Sequence, residues 1–122
     1  MLRSVPNTAS IAHDQGGGRL FAPSAERNAP VLTELLSTRA PGGGQALEIA
    51  SGTGQHVASY AAAMPGVTWQ PTEIDAERRV SIAVWTEGLA NVLPPVALDA
   101  GTAGWSAQHS GKDLIVLANL IH

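Results

Sequence analysis

Ala46-Leu47-Glu48-Ile49-Ala50-Ser51-Gly52-Thr53-Gly54-Gln55-His56 is the stretch on which the reading of this chain turns. Ala46, Leu47 and Ile49 make a short apolar run of strand length, and Ser51-Gly52-Thr53-Gly54 follows at once. Two glycines there allow positive φ and let a ligand approach the backbone. From Gln55 on, Val57, Tyr60, Ala61 and Met64 recur at helical spacing. Pro65-Gly66 stops that helix. Strand, glycine turn and helix N-terminus in this order form a nucleotide cradle at the carboxyl edge of a parallel sheet. Glu48 stands inside the apolar run, where a carboxylate is costly without a partner. That cost favours a ligand-bearing turn over a bare strand-to-helix connection.

Outward from the cradle, Val67 to Glu73 reads as a second strand, which Pro71 brings to its end. Glu73 lies 19 residues beyond Gly54, and a spacing of about 20 suits a carboxylate that accepts both ribose hydroxyls. Asp75 competes for that role but also fits the N-cap of a helix from Ala76 to Glu87, with Ile82, Trp85 and Leu89 on one face and Gly88 at its close. Pro94 to Ala100 reads as a short third strand near a sheet edge. Asp99 at its end is either an acceptor for an adenine amino group or an exposed turn residue. Asp113 to Asn119 is a continuous apolar strand, and Asn119 to His122 follow at its carboxyl end, where ligands sit in such folds.

On the other side, Pro41 to Gly44 separates the central strand from a preceding helix. Asn28 is its expected N-cap, Pro30 lies in its first turn, and Val31, Leu32, Leu35 and Leu36 form its apolar stripe. Glu26, Arg27 and Asn28 are either a solvated cap or groups set over the ligand edge. Residues 1–18, rich in Ser, Asn, Thr and Gly, read as a flexible N-terminal arm. The alternation of helices and strands gives an open α/β sheet.

Composition narrows the classes. A chain of 122 residues, 44% hydrophobic and 14% charged, is one globular domain with its own core. A net charge of −3 argues against nonspecific nucleic-acid binding through a basic surface. Without cysteine there is neither a disulfide framework nor a thiolate metal site. No apolar run has the length of a membrane span and no secretory signal is evident, so a cytoplasmic address is expected.

The ligand class can be narrowed too. Val57 stands where the dinucleotide fingerprint needs its third glycine, and Asp113 follows the Gly111-Lys112 pair where a phosphate loop needs Ser or Thr. Glu48-Ile49-Ala50-Ser51-Gly52-Thr53-Gly54 instead resembles the first motif of class I S-adenosylmethionine-dependent methyltransferases, with Ala50 in place of a common glycine. A more specific resemblance rests on Arg19 to Asn28, Leu47 to His56, Trp69 to Asp75 and Asn119 to His122 together. These are similar to the small methyltransferase-like 26 family, formerly a domain of unknown function.

The resemblance covers residues 19–122, which it implies form the S-adenosylmethionine-binding domain. It implies a Rossmann-like sheet of order 3-2-1-4, flanked by helices, as right-handed crossovers also suggest. It implies three further strands that this sequence lacks, and so a C-terminally truncated domain. It implies cofactor contacts at Glu48, Ala50, Ser51, Gly52, Gly54, Glu73, Ile74, Asp99, Ala100 and Asn119, with Glu73 standing where the family usually has Asp. Arg27 or Asn28 would close over the methionine end, and Asn119 and His122 would orient a methyl acceptor whose identity the resemblance does not give. Three functions follow: methyl transfer to a small molecule or other acceptor, adenosine binding without chemistry, and nicotinamide-linked oxidoreduction, the last disfavoured by Val57. Truncation would leave residues 113–119 as an apolar edge strand, expected to join a homodimer or make a poorly soluble fragment.

Overall fold

A computed structural model describes residues 13–39, 43–99 and 111–117. In chain order the elements are β1 (His13–Asp14), β2 (Leu20–Phe21), α1 (Pro23–Arg39), β3 (Gly44–Ile49), α2 (Gln55–Ala63), β4 (Val67–Pro71), α3 (Ala76–Trp85) and β5 (Leu114–Leu117). β3, β4 and β5 form a parallel sheet of order β4-β3-β5, and β1 and β2 form a small antiparallel hairpin. That hairpin takes in residues 13–18 of the stretch expected as an arm; residues 1–12 lie outside the described residues.

The register explains the core. Ala46 pairs with Trp69 on one side and Leu114 on the other, and Glu48 pairs with Pro71 and Val116. Successive side chains of a strand alternate between faces, so Ala46, Glu48, Trp69 and Val116 share one. Against that face pack Val57, Tyr60, Ala61 and Met64 of the α2 segment, Ile82 of α3, and Leu32 and Leu36 of α1. Trp69 and Tyr60 are fully buried, with ring centroids 5.2 Å apart. Burying two such rings makes a large share of the core's apolar stabilisation, several kcal/mol by area.

The third predicted strand is corrected. Residues 92–96 run parallel to β4 but make only isolated bridges, Trp69 to Val92 and Thr72 to Val96. Pro94 and Pro95 have no N–H to give a ladder, so pairing is confined to their flanks. Leu93 donates to the Trp69 carbonyl at 2.8 Å and Val96 to that of Pro71 at 3.2 Å. The segment nevertheless occupies the third place beside β4, so the spatial order is the 3-2-1-4 of the sequence reading.

The start of α1 is also corrected. The helix begins at Pro23, places Asn28 in its second turn and carries Pro30 inside it. Pro23 meets the same preference for proline at the first helical position that the sequence reading gave to Pro30. Ala25, Ala29 and Thr33 are buried at i, i+4, i+8, so the inward face starts before Pro30. Leu32 and Leu36 lean on the core, whereas Val31 and Leu35 face outward and are exposed. α1 holds α2 through the Thr33 and Ser59 hydroxyls, 2.6 Å apart. Among the described residues, no helix is long and apolar enough to cross a membrane.

Candidate functional site: a glycine turn between two carboxyl groups

The turn from β3 into α2 is held in an unusual backbone shape. Ala50, Gly52 and Gly54 have φ of 56°, 64° and 99°. Positive φ is open to glycine and strained for other residues, so Ala50 carries strain at the position where the resemblance expects glycine. Strain of this kind persists only where the surroundings hold it. Here the holder is Thr72. Its N–H donates to the Glu48 carbonyl at 3.0 Å and lies 3.1 Å from the Ser51 hydroxyl, its own hydroxyl donates to the Glu48 carbonyl at 2.8 Å, and its carbonyl accepts from the Ser51 N–H at 2.7 Å.

The two glycines do different work. A Cβ on Gly54 would stand 2.7 Å from the Ile82 Cα and 3.2 Å from the Trp85 Cβ, so this glycine lets the turn pack on α3. A Cβ on Gly52 would meet nothing within 4 Å. The space over Gly52 is therefore open to another molecule, while Gly54 faces protein.

Glu73 meets the turn from β4's end. Its Oε1 accepts the Gly52 N–H at 2.9 Å and its Oε2 the Asp75 N–H at 3.2 Å. Each carboxylate oxygen has two lone-pair sites, so this geometry uses one on each and leaves one on each for a further donor. The Arg79 guanidinium fixes the same corner by donating to the Glu73 and Ile74 carbonyls at 2.8 and 2.9 Å. Asp75 instead caps α3: its side chain accepts from the Glu77 N–H at 3.4 Å and lies 3.7 Å from Arg78.

Glu48 is almost completely buried, and its Oε1 has no hydrogen-bond partner. Burial pushes its carboxyl up to about 8, a hydrogen bond with Ser51 opposes this, and the Glu73 carboxylate adds to it. Behind it, Tyr60 is buried with its hydroxyl unpartnered; burial and then the Glu48 charge push that hydroxyl above its ordinary range. His56 stacks on Tyr60 at 6.0 Å, and burial lowers its imidazole against a backbone hydrogen bond at Ala25.

The structure thus brings Glu48, Ala50, Ser51, Gly52, Gly54 and Glu73 together. Ile74 is exposed beside Glu73. Asp99 is exposed in the segment after the Val96 bridge. Arg27 and Asn28 are exposed on α1 and make none of the turn's hydrogen bonds. Ala100, Asn119 and His122 lie outside the described residues. Gln55, Thr72 and Ser81 were not singled out by the sequence reading. Gln55 carries a weak signal, a polar residue at a helix start. Ser81, a serine in mid-helix, carries none.

Solved structures share the fold that carries this turn. The chain is similar to the CurJ carbon methyltransferase (20% identity, TM-score 0.58, 79% of this chain and 27% of that one). It is similar to EvdMO1 (21% identity, TM-score 0.60, 93% and 26%). It is also similar to a SAM-dependent methyltransferase from Thiobacillus denitrificans in complex with S-adenosyl-L-homocysteine (17% identity, TM-score 0.52, 80% and 37%). At these identities the likeness is one of fold, the Rossmann-like α/β fold of methyltransferases. The chain spans between a quarter and two fifths of the length of these three. Residues 19–122 match the family described as "Protein of unknown function (DUF938)", and the chain belongs to that family.

Proposed function

We propose that this chain binds S-adenosylmethionine on the Gly52–Gly54 turn and serves methyl transfer to a small-molecule acceptor. The observation that carries the reading is the Glu73 carboxylate seated on the Gly52 amide, with open space over Gly52. Two spare acceptor sites on Glu73 suit the paired hydroxyls of a ribose. The buried Glu48 carboxyl, through its Ser51 hydrogen bond, is tied to the turn that would carry the ligand. Ile74 offers an apolar surface for a base, and Asp99 an acceptor for its amino group.

When bound, the sulfonium supplies an activated methyl group, so the protein's task is alignment more than acid or base catalysis. Arg27 is the candidate partner for the cofactor's carboxylate, and Asn119 and His122 are the candidates to orient the acceptor. The ligand-binding unit is residues 19–122, and the sequence resemblance to the methyltransferase-like 26 family points the same way.

Calorimetric titration with S-adenosylmethionine, S-adenosylhomocysteine and NAD tests the proposal. The two adenosyl ligands should bind and NAD should not. Glu73→Ala should weaken them by about tenfold or more, the loss of one to two good hydrogen bonds to a charged group. NAD binding alone would overturn the reading.

A further inference from the structure

The back of the glycine turn is tied to the N-terminal segment as well as to the sheet. Gln55, the buried first residue of α2, accepts the Ala22 N–H at 2.6 Å and the Thr53 hydroxyl at 2.8 Å on one amide oxygen. A backbone N–H can only donate, so the amide's orientation follows from its partner. Ser81, fully buried on α3, works from the other side. Its hydroxyl donates to the Thr53 carbonyl at 2.6 Å and accepts the Leu20 N–H at 2.8 Å. The Trp85 indole donates to the Leu20 carbonyl at 2.6 Å, and Arg19 lies 4.3 Å over the Trp85 ring. Leu20 and Ala22 of one strap, and Thr53 of the turn, therefore share two side chains. Thr53 stands between Gly52 and Gly54, so fixing it constrains both left-handed positions of the turn.

We infer that Gln55 and Ser81 are positioning residues that couple the order of the Leu20–Ala22 strap to the shape of the glycine turn. A ligand seated on the turn then holds the strap, and an ordered strap raises ligand affinity by the same factor, because coupling between two sites is reciprocal. The β1–β2 hairpin pairs two residues from each strand, too few to be stable alone. The buried N–H groups of Leu20 and Ala22 depend on these two acceptors, and leaving them unpaired is costly. The identity of the ligand rests on the adenosyl reading above. The coupling itself is a property of the ligand-free chain.

Amide hydrogen exchange of the full chain, with and without S-adenosylhomocysteine, tests this on Gln55→Leu, Gln55→Glu and Ser81→Ala. Leu fills a comparable volume without an acceptor, and Glu keeps both the shape and the acceptor. In ligand-free Gln55→Leu, exchange at residues 20–22 and 52–54 should rise together by about tenfold, with β3 and β4 unchanged. Ser81→Ala should give the same joint pattern, and carries the test if Gln55→Leu fails to fold. Gln55→Glu should stay within about threefold of the parent. S-adenosylhomocysteine should slow exchange at residues 20–22 of the parent and bind Gln55→Leu about tenfold more weakly. A rise at only one of the two segments, a rise spread over the whole chain, or a Gln55→Glu variant that behaves like Gln55→Leu would overturn the inference. If S-adenosylhomocysteine binds none of these proteins, the adenosyl reading fails, and the ligand-free pattern still decides the coupling.

Discussion

Glu48 is a carboxylic side chain that is almost completely buried. Its carboxyl, pushed up to about 8 from 4.5 by burial, holds a proton in the folded chain that the unfolded chain releases across the same range. The folded state binds more protons there, so stability falls as pH rises from about 4.5 to about 8, by at most about 1.4 kcal/mol per pH unit. His56 has the opposite sign. Its lowered value means stability present above 6.5 and lost as pH falls below it. The difference between parent and Glu48→Gln isolates the first effect, since Gln cannot titrate. Thermal melts from pH 5 to 8 should show the parent losing stability relative to Glu48→Gln as pH rises. Parallel curves would show that Glu48 is ionised throughout.

At the scale of elements, the glycine turn joins β3 to α2 and also seats α3. Gly54→Ala places a methyl group against the Ile82 backbone at a φ of 99°. It should destabilise the chain by about 2 kcal/mol or more, the sum of a left-handed alanine and an overpacked contact. A melting point within a degree or two of the parent would mean that α3 moves freely from the turn. This element was legible in the sequence because both of its signals are local: Gly52 and Gly54 at fixed spacing, and Val57, Tyr60 and Ala61 at helical period. The capping role of Asp75 was legible for the same reason. The start of α1 was misread because two prolines, Pro23 and Pro30, satisfy one local rule, and the tertiary burial of Ala25 and Ala29 decides between them. The third strand, expected over 94–100, was misread because its side chains suit a strand while Pro94 and Pro95 cannot donate, and the bridges fall at Val92 and Val96. The ties from Gln55 to Ala22 and from Ser81 to Leu20 were not legible, since they join residues 33 and 61 positions apart in the chain.

For the molecule as a whole, β5 is the feature that asks for a partner. It bonds to β3 along one side, and among the described residues no strand pairs with its other edge. Ile115 and Leu117 on it are about half exposed. An uncovered apolar edge strand tends to pair with another chain. If β5 stays uncovered, two chains should pair through Leu114–Leu117, read as a doubled mass by light scattering. An added charge, Ile115→Lys, should weaken the dimer without unfolding the sheet. A parent protein that stays monomeric on concentration would contradict this.

The central claim is that the open space over Gly52, beside the Glu73 carboxylate, is where an adenosyl ligand lies. Its most direct test is S-adenosylhomocysteine affinity of Gly52→Ala, measured by calorimetry alongside its melting point. The added methyl meets no protein atom, so the fold should lose only the cost of a left-handed alanine, about 1–2 kcal/mol. Affinity should fall at least about tenfold, because the methyl stands where the ligand would approach. A folded Gly52→Ala that binds S-adenosylhomocysteine as tightly as the parent would contradict the account.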